Sequence, residues 1–538
     1  MPDFATADQK MLKRMIERRH PAYDDLLPHW QFLEACYEGG RRWFADNVFR
    51  YMKEGDTEFG DRVKRAYRFN HTREVVDLVN KYIFKADIIR NTDDAPEGVK
   101  RFWQRATRSN LTIDQFMKEV SKKSSIYGRV WAFVDTNMPA VGDGRVATLA
   151  DEKKLGARVY SYIVTPPHVL DLGYDDEDKL NWIMVHESAR DDADPLGSTG
   201  AVFSRFRLWT RTEWFLFELR VRERNKKMVE LVDQGENRLG EVPCVRVDHI
   251  HSDDPYNASA LIADIAYLDR AVANYLSNLD AIIQDQTFSQ LAMPAQGMLP
   301  GEEGYEKILE LGTKRIFTYD GEHGSKPEFI APDPKQAGVV LDVINKIINE
   351  IYHTVGMAGE RTKQDNAVGI DNSSGVAKAY DFERMNALLA SKADSLDNAE
   401  NAIVRLVKLY TGEKVKEDDV DLVKYPDSFD VRGLYDEFEV AERLSLIEAP
   451  DEVRREQMRQ VIDKLWPRMA ASLRAKLEAS LKDWPPQPMD QIGAALVKGE
   501  GGAAIGSLSI KRQPQQPTVG ASKDSTQGQN NKGAKTAA

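Results

Sequence analysis

"DNSSGVAKAYDFERMNALLASKADSLDNAENAIVRLVKLY" runs from Asp371 to Tyr410. Asn372, Ser373 and Ser374 offer side-chain oxygens suited to a helix N-cap, and Gly412 offers a stop after Thr411. Between them Met385, Leu389, Ala393, Leu396, Ile403, Leu406 and Tyr410 keep one face apolar. At about 1.5 Å per residue such a helix is nearly 60 Å long. A polar, glycine-dotted stretch, "GERTKQDNAVGIDN" (359–372), precedes it.

A second long helix is expected over 258–288, about 45 Å in length. In "ALIADIAYLDRAVANYLSNLDAIIQDQTF", Leu261, Ile265, Leu268, Val272, Tyr275, Leu279 and Ile282 alternate steps of four and three, a heptad-like seam. Asp264, Asp269, Asp280 and Asp285 fall off that seam. A third amphipathic helix, "GVVLDVINKIINEIYHTVG" (338–356), carries Ile344, Ile347 and Ile351 as its expected packing surface. Between the two lie residues 289–334, rich in Gly and Pro, with one short strand in "KRIFTYD". That excursion is far longer than a bundle linker of the usual few residues. From pattern alone, an ordinary intramolecular helical bundle stands beside any more elaborate arrangement.

The N-terminal part alternates between two periods. "DQKMLKRMIERRH" and "AYDDLLPHWQFLEACYEGG" have helical spacing, and Gly39-Gly40 ends the second. Helices are expected again over 70–88 and 112–128, the latter closed by Gly128. From Arg129 to His249 the period becomes alternating, in "RVWAFVDT", "RVYSYIVT", "LNWIMVHES", "VFSRFRLWTRTEWFLFELRV" and "VPCVRVDHI". Residues 1–255 therefore form one α+β body. Near the other end "DLVKYPDSFDV" (421–431) reads as extended, and 437–484 as helical with breaks near Pro450 and Pro467. The last 40 or so residues are low-complexity and read as a disordered tail.

Composition excludes several classes. The chain has 538 residues, 42% apolar and 30% charged, enough for a sizeable core. No stretch of about 18 uncharged apolar residues signals a membrane span, and "MPDFATADQK" is not a secretory signal. Two distant cysteines, Cys36 and Cys244, fit a reducing compartment. A net charge of −12 argues against clamping phosphates over a large surface. "GEHGSK" and "GGAAIGS" lack the lysine and hydroxyl of a nucleotide-binding loop, and no metalloprotease motif or nucleophile elbow occurs. In "VDHIHSDD", His249 and His251 alternate, but two histidines do not complete a metal site; a solvated strand end is expected there. "DLGYDDEDK" lacks full calcium-loop spacing and reads as a solvated turn. No catalytic residue, metal or cofactor is expected.

The order of parts resembles the portal proteins of tailed double-stranded-DNA bacteriophages, most strongly over 256–411. "NSSGVAKAYDFERMNALLASKADSLDNAENAIVRLV" is similar to the small-residue start of that family's longest helix. "VINKIINEIYHTVGMAGE" resembles its second stem helix and following turn, with Ala358 where proline is common. "KKSSIYGRVWAFVDTN", "RAYRFNHTREVVDLVNKYIFKADI" and "YIVTPPHVLDLGYDD" are similar to its wing segments.

The resemblance implies an α+β, mainly helical portal fold. Its parts are a wing (1–255), a stem helix (256–288), a small α/β clip (289–335), a second stem helix (336–356) and a tunnel loop (357–372). The long radial helix and return to the wing (373–435), a helical crown (436–485) and a flexible tail (486–538) complete it. It implies a structural, non-enzymatic homo-oligomeric ring, commonly a dodecamer, at one capsid vertex of the virion, formed in the host cytoplasm. Double-stranded DNA would pass through for packaging and ejection. The terminase large subunit, the major capsid or scaffold protein and the head-tail adaptor would be partners, with no membrane. Arg361, Thr362, Lys363, Gln364 and Asn366 would face DNA. Glu302, Glu303, Tyr305 and Lys307 would meet the motor and then the adaptor. Asp264, Leu268, Asp269, Arg270, Val272, Tyr275, Leu279, Ile344, Ile347 and Ile351 would serve stem and subunit packing, with Asp269 and Arg270 pairing across the interface.

A ring is dimensionally consistent: a duplex of radius roughly 10 Å plus clearance puts helix axes about 18 Å from the centre, where about twelve close the circle at 8–10 Å spacing. The rivals are the packaging motor itself, which needs a nucleotide loop or carboxylate metal cluster, and a non-viral helical scaffold or adaptor protein.

Overall fold

The computed structural model describes residues 4, 7–51, 54–85, 88–137, 158–222, 226–287, 290–294, 316–319, 326, 328–330, 335–357, 375–413, 415, 421–426, 429, 450–465, 471–482 and 484. Both helices and sheets are present, with helices predominating.

Seven helices build the first part: α1 (Gln9–Ile16), α2 (Tyr23–Glu38), α3 (Arg41–Asn47), α4 (Asp56–Arg65), α5 (His71–Ile83), α6 (Glu97–Gln104) and α7 (Ile113–Tyr127). Their ends follow local chemistry. Gly39 and Gly40 both take positive φ after α2. Thr112 and Gln115 form a reciprocal capping box at the start of α7, which satisfies donors that the first turn leaves free. Gly128 ends α7 at φ +86°, donating to Ser124 O. A Cβ there would lie 1.9 Å from Ala258 O, so the crossing chain demands glycine.

The strand section forms two sheets. β2 (Arg129–Thr136) lies between β3 (Val159–Val164) and β9 (Cys244–Asp248), antiparallel to both. β4 (Val169–Tyr174), β5 (Leu180–Arg190), β6 (Val202–Thr210), β7 (Glu213–Arg222) and β8 (Lys226–Glu236) form an antiparallel meander in chain order. The run 202–221 is thus a hairpin of two strands, β6 and β7. β8, "KKMVELVDQGE", is a strand that the sequence reading did not include. β2 is buried on both faces along Arg129–Val134, whereas β5 and β6 are buried over only part of their length.

Three helices follow. α8 spans Ile265–Thr287, starting seven residues after the expected Ala258 because the chain turns at Leu261–Asp264 first. α9 is Lys335–Thr354 and α10 is Gly375–Tyr410. α9 ends in a Schellman turn, with Gly356 at φ +72° and Met357 N donating to Tyr352 O. α10 ends the same way: Gly412 takes φ +77°, its N–H reaches Leu409 O, and Glu413 N reaches Lys408 O.

Between α8 and α9, β10 (Gln290–Pro294) is the centre of a three-stranded sheet, parallel to β11 (Ile316–Tyr319) and antiparallel to β12 (Glu328–Ile330). The one strand expected here therefore has two companions. After α10, β13 (Val423–Lys424) pairs antiparallel with β1 (Ile89–Arg90), returning the chain to its first helices.

The chain divides into two compact units. The first is Met1–Asp436 with Lys464–Ala471. Its core runs from Trp30 and Leu33 through Val75, Val79, Met117 and Phe133 to Ile265, Leu396 and Ile403. The second contains most of α11 (Asp451–Leu465) and α12 (Ala471–Leu481). Within that second unit Val461 and Leu481 are buried, and Arg455 Nε donates to Trp484 O at 2.6 Å.

Candidate functional site

α8 and α9 pack lengthwise, and this pair holds most of the expected packing residues. Ile265, Val272 and Leu279 are buried on α8, as are Ile344, Ile348 and Ile351 on α9; Leu268 and Ile347 are half-buried. The buried stripe on α8 also includes Ala266, Asp269, Ala273 and Leu276, which the heptad reading left out. Tyr275, expected within the seam, is 36% exposed instead. The stripe follows a 3.6-residue period and drifts off a strict heptad, turning Tyr275 outward and Leu276 inward.

Asp269 departs furthest from expectation. It is not on a free flank pairing with a neighbouring subunit; it is 0% exposed inside its own chain. Oδ2 accepts from Thr72 Oγ1 (2.8 Å) and Thr72 N (3.3 Å), and Oδ1 lies 3.0 Å from His71 Nδ1. The Arg68 guanidinium is 3.6 Å away and sits over the Trp43 ring at 3.9 Å. Its position four residues after Ile265 and three before Val272 puts it on the buried stripe, and its partners come from α5 and the turn before it. Arg270 is half-buried, its guanidinium over Phe32 (4.6 Å), Tyr267 (5.1 Å) and Phe49 (5.3 Å).

Asp264 is exposed, and Asp280 is half-buried with Gln284 Nε2 at 2.8 Å and Arg65 at 3.7 Å. The outer surface of the pair carries large apolar side chains: Tyr267, Tyr275 and Ile283 on α8, Val339, Leu341 and Val343 on α9. Glu302, Glu303, Tyr305 and Lys307, and Arg361, Thr362, Lys363, Gln364 and Asn366, lie outside the described residues.

α10 carries two charged groups on its buried face that the sequence reading missed. Lys392 and Glu400 are both 0% exposed. Glu400 accepts from Arg90 (2.6 and 3.1 Å) and from Tyr425 Oη (2.7 Å), tying α10 to the β1–β13 pair. Lys392 Nζ lies 2.9 Å from His249 Nδ1 and donates to Ser124 Oγ at 3.0 Å. Burial pushes the Lys392 amine well below its ordinary range. Burial, and then the adjacent Lys392, do the same to the His249 imidazole. His249 is therefore not part of a solvated strand end, whereas His251 is exposed beside Asp253. The signal was spacing: Lys392 follows Leu389 by three and precedes Leu396 by four. Among the described residues no cluster of three or more His, Cys, Asp or Glu is placed to hold a metal, and no helix is long and apolar enough to cross a membrane.

Two antiparallel sheets set among seven helices, a lengthwise helix pair carrying its own small sheet, and a long helix returning across β2, β9 and the first helices make up the described fold. Residues 21–431 match the family described as "Phage portal protein, SPP1 Gp6-like". The chain belongs to this family. Similar solved structures include a chain of "Virion of native gene transfer agent (GTA) particle", at 12% identity and TM-score 0.37, covering 75% of this chain and 92% of that one. Another is a chain of "Neck of empty GTA particle computed with C6 symmetry", at 12% identity and TM-score 0.39, covering 78% and 98%. No curated protein matches the chain.

Proposed function

We propose that this chain is the subunit of a portal: a homo-oligomeric ring, commonly of twelve copies, at one capsid vertex, through which double-stranded DNA is packaged and ejected. The observation that carries this reading is the family match over 21–431. In this reading residues 1–255 are the wing and 256–288 with 336–356 the stem. Residues 289–335 are the clip, 357–372 the tunnel loop, 373–435 the radial helix and its return, and 436–485 the crown.

The exposed apolar side chains on α8 and α9 support a ring, because apolar groups such as Val339 (62% exposed) and Ile283 (47%) gain by being covered by a neighbouring copy. The stem flanks then bury a second surface in addition to the α8–α9 seam. The acidic balance suits a channel, since DNA must slide and many lysines or arginines on the wall would hold it. The clip would dock the terminase motor during packaging and head-completion proteins afterwards. ATP hydrolysis would belong to the motor, and the chain would act in the virion as a structural part.

Sedimentation and negative-stain imaging of the purified chain test this. Particles near twelve chain masses with a central hole are expected. A protein that remains monomeric across concentration and ionic strength, with no rings in the image, overturns the proposal.

A further inference from the structure

The interior of the first unit contains a basic cluster with no evident structural need for charge. Lys392 enters from α10, His249 from the end of β9, and Ser121, Ser124 and Ser125 from the last two turns of α7. All five are buried. The hydrogen bonds form a directed chain. Ser124 Oγ and Ser125 Oγ each donate to Ser121 O at 3.0 Å, which leaves their lone pairs free to accept. Ser124 Oγ accepts from Lys392 Nζ, and Ser125 Oγ lies 3.4 Å from His249 Nδ1. His249 Nε2 has no hydrogen-bond partner among the described residues.

These positions suit a neutral cluster. A neutral amine has two N–H groups and one lone pair, so it donates to Ser124 and can pair at Nδ1 with either tautomer of His249. An ammonium has three donors and cannot accept, so it restricts His249 Nδ1 to the acceptor role, while Nε2 stays without a partner in either tautomer among the described residues. The nearby charges do not help. Asp248, next to His249 in the chain, is held by Arg129 at 2.6 and 3.0 Å, with Arg246 at 3.8 Å. Ser395, one turn along α10 from Lys392, donates to Asp248 O and adds no charge. An added proton therefore places an uncompensated cation in the core, which is far costlier than a neutral polar group.

We propose that the Lys392–His249–Ser124 cluster is a proton-operated latch, closed while neutral, that frees α10 from α7 and β9 when it takes up a proton. The sign follows from the directions of both shifts. Lys392 and His249 each bind a proton less readily in the closed state than when exposed. The closed state thus holds fewer protons and is favoured as pH rises, and opening increases as pH falls. The lysine contributes at all pH values below about 10.4 down to its lowered value, and the histidine adds below about 6.5. The latch belongs to the single chain and does not depend on ring formation.

Amide hydrogen exchange of the full-length protein, followed by mass spectrometry from about pH 9 to about pH 6 and corrected for intrinsic exchange, reads the opening. Peptides covering 385–400 and 120–128 are expected to lose protection by about tenfold per pH unit while one proton is taken up. Peptides from β5 and β6 should stay unchanged. Lys392→Met should reduce the slope to that of the histidine alone, confined to the acidic end; Lys392→Gln serves if the methionine variant does not fold. The wild type decides by itself: protection over 385–400 that is independent of pH, or a loss shared equally by β5 and β6, overturns the latch. So does a full slope retained by the Lys392 variant.

Discussion

Replacing Asp269 by alanine separates a core role from an interface role. The carboxylate is fully buried, accepts from Thr72 twice and lies beside His71 and the buried Arg68 guanidinium. Removing it leaves the Arg68 side chain, only 4% exposed, without its counter-charge, and strands the Thr72 hydroxyl. Removing one partner of a buried pair costs about 3–5 kcal/mol. The lost Thr72 acceptor, worth about 1–3 kcal/mol, overlaps with that figure and is not added to it. With a urea m-value of about 3 kcal/mol/M, the midpoint should fall by about 1–1.7 M. The assay is urea unfolding of the dissociated chain, followed by far-ultraviolet circular dichroism and tryptophan fluorescence; Trp43 lies under Arg68 and reports the same site. Asp269→Asn keeps an acceptor for Thr72 while losing the charge, and should fall between the two. An Asp269→Ala chain that unfolds at the wild-type midpoint yet fails to form rings would refute the reasoning and return Asp269 to a subunit contact.

Gly128→Ala should be severe, because its Cβ meets Ala258 O at 1.9 Å on top of a positive φ; more than about 3 kcal/mol, seen as loss of soluble protein or of the thermal transition, is expected. Gly40→Ala is its control: φ is also positive, with ψ extended, but nothing lies within 4 Å, so only the backbone strain of about 1–3 kcal/mol should be lost. Val272→Leu adds a methylene to a fully buried site and should lower stability by about 1–3 kcal/mol in thermal denaturation. Leu268→Ala, at a half-buried position, should keep its helical circular dichroism but sediment as monomers or irregular rings; loss of helix would favour a plain intramolecular scaffold. Arg361→Ala combined with Lys363→Ala should leave rings intact and shorten or loosen the packaged DNA, measured by gel after capsid lysis; normal packaging would remove that loop from the mechanism.

The helices and strands of the first unit were largely legible because their signals are local. Gly39-Gly40 and Gly128 stop helices through backbone conformation, and the run of β-branched and aromatic residues in "RVWAFVDT", buried on both faces, needs only its own residues to read as a strand. β8 escaped because Lys226, Lys227, Glu230, Asp233 and Glu236 interrupt its apolar positions; β7 supplies the pairing that makes it a strand. The buried ionisable groups were missed for one shared reason. Asp269, Lys392 and Glu400 sit at helical spacing from apolar neighbours, but a charged residue reads as surface until its partners are known. Those partners, Arg68, His249 and Arg90, are more than a hundred residues away in the chain. A single sequence carries the spacing and not the pairing.

The small sheet between α8 and α9 closes a topological circuit. β10 follows α8 almost directly, β12 precedes α9, and the two are antiparallel neighbours, Ala292 opposite Glu328 and Leu291 opposite Phe329. The chain therefore leaves and returns through two points about 5 Å apart. Of the segment threaded between them, β11 pairs along the other edge of β10, so the closure of the circuit rests on β10 and β12 alone.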